Sequence, residues 1–252
     1  MQYLLSHRTT YTYASTVDSA HHIAHLRARN FPGQKVTAIS VDTSPAPALA
    51  VQHLDHFGNH IDIYRIDKPH TRFDIEVRAE VDVRFPDPPA AGSTPAWEDI
   101  RAWLLGNGFP KSVEASEFTY DSPLVPSVEA LRAYGAQSFT PGRPILDAAR
   151  ELTSRIKADF EYHPGATDIS TPLADVFAGK AGVCQDFAHV EIAALRAHGL
   201  AAGYVSGYIR TIHSRDEIAL RGADASHGLG RGVVRRGDRL GPSRPDQRPD
   251  RA

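Results

Sequence analysis

Hydrophobic and polar residues alternate without interruption from Phe73 to Phe85, where every second position is apolar and the positions between carry Asp, Glu or Arg. A period of two residues is that of an antiparallel strand with one buried face. Shorter alternations run from Thr9 to Tyr13 and from Ile61 to Ile63, bounded by turn-forming residues. The pattern therefore predicts a β-rich domain over residues 1 to 86.

The period becomes helical after a proline-rich break at residues 86 to 89. A short apolar stripe begins at Trp97, and residues 87 to 143 are predicted to form a linker with short helices. A longer stripe between Pro144 and Ala158 predicts a helix with proline in its first turn. We expect residues 144 to 227 to form a second, mixed domain, so the fold class predicted for the chain is α+β.

The single cysteine, Cys184, stands at the start of another helical stripe, which stops at Gly199. The apolar face of this predicted helix is formed by Phe187, Val190, Ala194 and Leu195. A helix N-terminus carries about half a positive charge, which stabilises a thiolate placed there. The position therefore indicates a nucleophile. The alternative is a small buried hydrophobic residue, which is the usual role of a lone cysteine.

Composition narrows the classes of function. With 252 residues, 41% of them hydrophobic and 23% charged, the chain can bury one large or two modest cores. One cysteine excludes an internal disulfide and multi-cysteine metal centres. No segment approaches the ~20 apolar residues that span a bilayer, so we expect a soluble, cytoplasmic protein without a membrane partner. Residues 228 to 252 hold seven Arg and three Asp, or +4, which leaves −6 on residues 1 to 227 and argues against a nucleic-acid partner.

Three segments around the cysteine resemble the core of the bacterial transglutaminase-like family. They are Phe160 to Thr167, which matches Phe-x-Tyr-x-x-Gly-x-Thr, the cysteine segment Gly182 to His189, and the strand Tyr204-Val205-Ser206-Gly207-Tyr208. The β-rich first domain is similar to the N-terminal region found with this core, through His7, the turn at Asp55 to Asn59, and Pro69-His70. The resemblance covers nearly all of residues 1 to 227. It implies a papain-like core, with the cysteine helix packed against an antiparallel sheet.

The resemblance also implies a mechanism and its residues. Ala225-Ser226-His227 matches the histidine motif of the family, so His227 would be the base that takes the Cys184 proton. The thiolate would attack a glutamine side-chain amide or a peptide carbonyl and form an acyl-enzyme. The Cys184 backbone N–H is the oxyanion donor that the sequence allows, and Asp186 could support the helix N-terminus. The implied partner is a peptide or protein substrate, with no cofactor and no metal.

Two groups of histidines are candidate metal ligands. His21, His22 and His25 form one group, and a second group contains His53, His56 and His60. Their setting in β-rich, turn-punctuated sequence favours surface or hydrogen-bonded histidines instead. His189 lies on the cysteine helix but points to another face, which favours a structural role.

The family pattern fails after His227. Family members continue with Ala-Trp-Val, then Gly-Trp, then Asp-Pro-Thr-Asn, whose Asp orients the imidazole. This chain has no aromatic residue after Tyr208, and Asp238 and Asp246 lie outside any such motif. A tail of this Arg, Gly and Pro composition over residues 228 to 252 is expected to be disordered.

A reading-frame slip accounts for the tail. Gly228-Leu229-Gly230 encoded as GGC-CTG-GGT gives Ala-Trp-Val one base later, and the same offset recovers Gly-Trp at residues 239 to 241 and Asp-Pro-Thr-Asn at residues 244 to 248. The alternative is an independently evolved basic tail. Loss of the orienting residue predicts an impaired thiol enzyme, and the alternative function is an inactive binding module that keeps the papain-like groove.

Overall fold

The computed structural model describes residues 1–106 and 113–208 in full, together with the backbone of residues 226–232. The chain separates into two compact units, Met1–Asp87 and Pro88–Ala252.

The first unit contains six strands in two antiparallel three-stranded sheets. One sheet has the order β1-β6-β3 and the other has the order β2-β5-β4. The strands are β1 (Gln2–Val17), β2 (Ala20–Ala24), β3 (Gln34–Ser44), β4 (Leu49–Leu54), β5 (His60–Ile66) and β6 (His70–Val83). The β-rich N-terminal region that the alternation predicts is therefore confirmed.

Strand β6 is the centre of the first sheet and shows why the alternation is so regular. Its apolar residues Phe73, Ile75 and Val77 are buried, whereas the residues between them carry charges on the opposite face. Glu76, for example, accepts hydrogen bonds from Arg8 and Arg78 on that face. Phe73 and Ile75 share one hydrophobic cluster with Tyr64 and Ile66 of β5, so the two sheets enclose a common core.

The turn between β4 and β5 is built from local hydrogen bonds. Asp55 Oδ1 accepts the backbone N–H groups of Phe57 and Asn59, at 2.9 and 2.7 Å. Gly58 has φ +73°, a left-handed conformation that glycine adopts without strain. This segment is the turn of the family resemblance, and its chemistry explains the choice of Asp, Gly and Asn.

The second unit packs helices and short strands around one hydrophobic core. Its elements are α1 (Trp97–Leu104), α2 (Val113–Glu117), α3 (Glu129–Ala136), α4 (Ile145–Asp159), β7 (Glu161–Tyr162), α5 (Leu173–Gly179), β8 (Ala181–Gly182), α6 (Cys184–Ala197), β9 (Ala202–Tyr208) and β10 (Ser226–Gly232). Residues 87 to 143 do contain short helices, and Ile100 of α1 and Leu131 of α3 are buried in the same core as Leu152 of α4. The segment predicted as a linker is thus largely a packed part of the second unit.

Helix α6 lies at the centre of this unit. The sequence predicts one apolar face, but every residue from Asp186 to Leu195 is buried. Helices α3, α4 and α5 and strands β8, β9 and β10 all contact α6, and a helix surrounded by other elements is covered on all sides. In the described part of the chain, no helix is both long and apolar enough to cross a membrane.

Strand β10 includes the beginning of the predicted tail. Its residues pair antiparallel with β9, from Ser226 opposite Tyr208 to Gly232 opposite Ala202. The prediction of disorder from residue 228 onward is therefore wrong for residues 228 to 232, because their backbone groups pair with the edge of β9. Residues 233 to 252 lie outside the described residues.

Candidate active site

Cys184 is the first residue of α6 and is partly exposed. The preceding residue, Val183, is extended, and the first hydrogen bond of the helix joins the Phe187 N–H to the Val183 carbonyl. The N–H groups of the first turn therefore point out of the helix beside the thiol. A partly exposed thiol at the start of a long, buried helix is the arrangement that the sequence predicts for a nucleophile.

Asp186 organises the backbone around the cysteine. Its carboxylate is buried, and Oδ2 accepts the Val183 N–H at 2.8 Å and the Thr167 hydroxyl at 2.6 Å. The role anticipated for Asp186 was electrostatic support of the helix N-terminus, and the structure adds a specific bond to Thr167. The loop that precedes α5 is thereby tied to the turn that carries Cys184.

Glycine is required at position 182 because the Asp186 carboxylate lies where a side chain would begin. A Cβ atom at position 182 would lie 2.5 Å from Asp186 Oδ2, which is closer than two such atoms can come. The backbone of Gly182 also accepts the His163 N–H at 2.9 Å. Gly182 therefore allows the strand before the cysteine, the carboxylate and the Thr167 loop to meet.

Tyr204 of β9 lies within the electrostatic reach of the cysteine. Burial raises the pKa of the Tyr204 phenol, and electrostatic interaction with the neighbouring Cys184 and Asp186 raises that pKa further. Its ring is 5.4 Å from the His189 ring, centroid to centroid. Burial lowers the pKa of His189, while Asp186 opposes this shift. His189 is thus a buried neighbour of the site, in agreement with a structural role.

His227 lies on β10, where its backbone pairs with Gly207 of β9. Strand β10 contacts α6, so the strand that carries His227 and the helix that carries Cys184 are neighbours. The His227 side chain lies outside the described residues, and its pairing with the Cys184 thiol stays a prediction. Asp238 and Asp246 also lie outside the described residues.

The histidine groups of the first unit occupy β-rich surroundings. The His22 ring stacks on Phe73 with centroids 3.9 Å apart, and His56 meets Phe57 edge to face. In the part of the chain that the structure describes, no three His, Cys, Asp or Glu side chains are grouped as metal ligands would be.

Sequence reasoning missed two contributors to the site. Tyr204 and Thr167 each belong to a motif of the family resemblance, and that resemblance implies no role for either residue. Thr167 lies nineteen positions before Asp186 along the chain, and no local periodicity links them. The sequence feature that could have pointed to Thr167 is its place as the Thr that ends the Phe-x-Tyr-x-x-Gly-x-Thr motif.

Comparison with known proteins gives two family matches along the chain. Residues 3–82 match the family model described as the bacterial transglutaminase-like N-terminal region, and residues 132–228 match the transglutaminase-like superfamily. Uncharacterised proteins of Mycobacterium bovis and Mycobacterium tuberculosis are 40% identical over 229 residues, which cover 90% of this chain and 71% of theirs.

Among solved structures, the crystal structure of "a Putative Cysteine Protease from Cytophaga hutchinsonii" is similar to this chain. The TM-score is 0.72 at 18% sequence identity, and the match covers 95% of this chain and 77% of that one. At this level of identity the likeness establishes a shared fold.

Proposed function

The chain belongs to the transglutaminase-like superfamily, and from this premise we propose that it is a thiol enzyme that acts on amide bonds through Cys184. The proposal rests on the position of Cys184, which is partly exposed and is the first residue of a buried helix. The same helix contacts the strand that bears His227. A buried helix holds its first residue in a fixed place, which a nucleophile requires.

The proposed reaction begins with transfer of the Cys184 Sγ proton to His227. The sulfur then bonds to the amide carbonyl carbon, and the carbonyl oxygen takes the negative charge, which the Cys184 backbone N–H would stabilise. Collapse of this intermediate breaks the carbon–nitrogen bond, and the departing amine takes the proton from His227. Water releases the thioester as a carboxylic acid, and an amine would release it as a new amide, so hydrolysis and acyl transfer share the first half of the mechanism.

We further propose that this chain is impaired by its altered C-terminal segment. The match to the superfamily core ends at residue 228, where the sequence departs from the family pattern. A lost third member of a catalytic triad costs ~10⁴ in kcat in the serine-protease case. A reading-frame slip after His227 accounts for the departure. An inactive binding module is the alternative function.

Alkylation by iodoacetamide tests the proposal, since Cys184 is the single cysteine and the assay reports on no other thiol. We expect native Cys184 to react faster at pH 7 than the same thiol in urea-unfolded protein. A thiol that is protected until the protein unfolds would favour the binding module.

Turnover of a glutamine-containing peptide library provides the second test, with Cys184→Ala as the matched variant. We expect any ammonia release or peptide cleavage to disappear in Cys184→Ala while the far-UV circular dichroism is unchanged. Equal turnover in the two proteins would remove Cys184 as the nucleophile.

A further inference from the structure

Lys180 has an unusual backbone conformation at the end of α5. With φ 51° and ψ 29°, it is left-handed, and it is the one non-glycine residue with positive φ among the residues that the structure describes. Its N–H donates to the Val176 carbonyl at 3.0 Å, and its carbonyl accepts the Glu161 N–H at 2.8 Å. Glycine is the usual residue at this position of a helix end because it lacks a Cβ. We therefore expect an interaction of the Lys180 side chain to explain why lysine occupies this position.

The ammonium of the partly exposed Lys180 lies close to three aromatic rings from separate segments of the chain. Its Nζ lies 3.3 Å from the ring centroid of Phe177, 4.3 Å from that of Phe160 and 4.7 Å from that of Tyr134. Phe177 belongs to α5, Phe160 is the residue that directly follows α4, and Tyr134 belongs to α3. A cation over an aromatic face is attracted by the ring quadrupole, most strongly where water is excluded. The ammonium thus joins α3, α4 and α5.

A negative charge accompanies this cluster. Burial lowers the pKa of the Lys180 amine, and Asp159 opposes the shift. Asp159 also accepts the Tyr134 hydroxyl at 2.8 Å, while the Arg155 guanidinium lies 4.1 Å from the Tyr134 ring centroid. Tyr134 is therefore held in place by both its hydroxyl and its ring.

The backbone leads directly from this cluster to the cysteine. Strand β8 follows Lys180 and pairs in parallel with β7, with Ala181 opposite Glu161 and Gly182 opposite Tyr162. Gly182 lies against the Asp186 carboxylate. Only Ala181, Gly182 and Val183 therefore separate Lys180 from Cys184 at the start of α6.

We propose that Lys180 is a positioning residue, whose ammonium, held among Tyr134, Phe160 and Phe177, fixes β8 and so the place of Cys184. The catalytic consequence rests on the proposed function, but the anchoring of β8 does not.

Hydrogen exchange followed by mass spectrometry tests the anchoring in the full chain. Lys180→Met keeps most of the length of the side chain and removes its terminal ammonium and its charge. We expect exchange in peptides that cover residues 161–163 and 181–186 to rise roughly 3-fold to 30-fold, the range that corresponds to one cation–π interaction. Lys180→Arg should stay close to the wild type, because guanidinium also stacks on aromatic rings. The control is Lys157→Met on α4, a half-buried lysine of the same unit.

Lys180→Gly separates the side chain from the backbone. Glycine adopts the left-handed conformation without strain. If Lys180 serves only to end α5, then hydrogen exchange in Lys180→Gly should be at or below the wild-type rate. Alkylation of Cys184 should then be at or above the wild-type rate. Anchoring by the ammonium predicts faster exchange at β8 and slower alkylation of Cys184 in both Lys180→Gly and Lys180→Met.

The outcomes distinguish the two proposals. Wild-type exchange and alkylation in both variants would overturn the role of Lys180. An inert thiol in the wild-type protein, combined with faster exchange at β8 in the variants, would remove the proposed function and leave the anchoring in place.

Discussion

Replacement of Thr167 by Val should loosen the segment that carries Cys184. The change keeps the shape of the side chain and removes the hydroxyl that donates to Asp186 Oδ2 at 2.6 Å. Asp186 is 5% exposed as a residue, and its carboxylate would keep the Val183 N–H as a partner on the same oxygen. The variant therefore tests one hydrogen bond to a buried charged group.

The magnitude follows from the kind of bond. A hydrogen bond to a charged group contributes about 1.5–3 kcal/mol to the free energy of unfolding. Thr167 is itself partly exposed, so water can replace some of the lost interaction, and we expect about 1.5 kcal/mol. For a unit of this size, such a loss lowers the melting temperature by about 3–6 °C.

The assay uses the tryptophan fluorescence of the chain. Its two tryptophans, Trp97 and Trp103, both lie in the second unit, so their emission follows the unfolding of that unit alone. Thr140→Val serves as the control, because Thr140 is exposed on the same unit. A double-mutant cycle with Asp186→Asn isolates the coupling between the two side chains. A free energy of unfolding for Thr167→Val within 0.3 kcal/mol of the control, or additive effects in the cycle, would refute this account of the site.

Three further predictions concern the histidines and the C-terminal segment. His227→Ala should slow alkylation of Cys184 near neutral pH, and equal rates from pH 5 to 8 would argue against a thiolate–imidazolium pair. Moving the reading frame by one base after the His227 codon should raise both the melting temperature and the thiol-dependent turnover, and no gain in either would mean that the tail is native. The pKa of His189 is lowered by burial, so the unfolded chain binds its proton more readily than the folded chain. The stability that this neutral histidine contributes should be present above pH ~6.5 and be lost as pH falls towards the folded-state pKa. Urea unfolding from pH 7.5 to 5 should show a smaller loss in His189→Gln, and identical pH profiles would contradict this.

Local pattern alone was enough to predict the secondary structure around the site. The alternation that predicts β6 and the helical stripe that begins at Cys184 each depend on neighbours a few residues away. Where one face is buried and the other exposed, that period is visible in the chain itself. The position of Cys184 at a helix start could therefore be predicted before any coordinates. The family was predicted separately, from the resemblance of the motifs around Cys184, and the family matches confirm it.

The extent of the packing could not be predicted in the same way. A periodic pattern indicates that one face of a helix is buried, but it does not indicate how many other elements pack against that helix. The burial of α6 on every side, and the participation of α1 and α3 in the same core, depend on where distant segments come together. The pairing of residues 228–232 with β9 was missed for the same reason, since composition suggested disorder and a neighbouring strand edge supplied the hydrogen bonds.

The fine structure of the site was likewise decided only by the tertiary fold. Thr167 donates a hydrogen bond to Asp186, Gly182 makes room for that carboxylate, and Lys180 lies among rings from three separate segments. None of these residues is marked by a local period, because each contact joins segments that are separate in the sequence. The sequence alone was enough to predict that Cys184 begins a helix. The packing of the second unit decided which side chains hold that element in place, because hydrogen bonds and cation–π contacts between segments exist only after those segments have met.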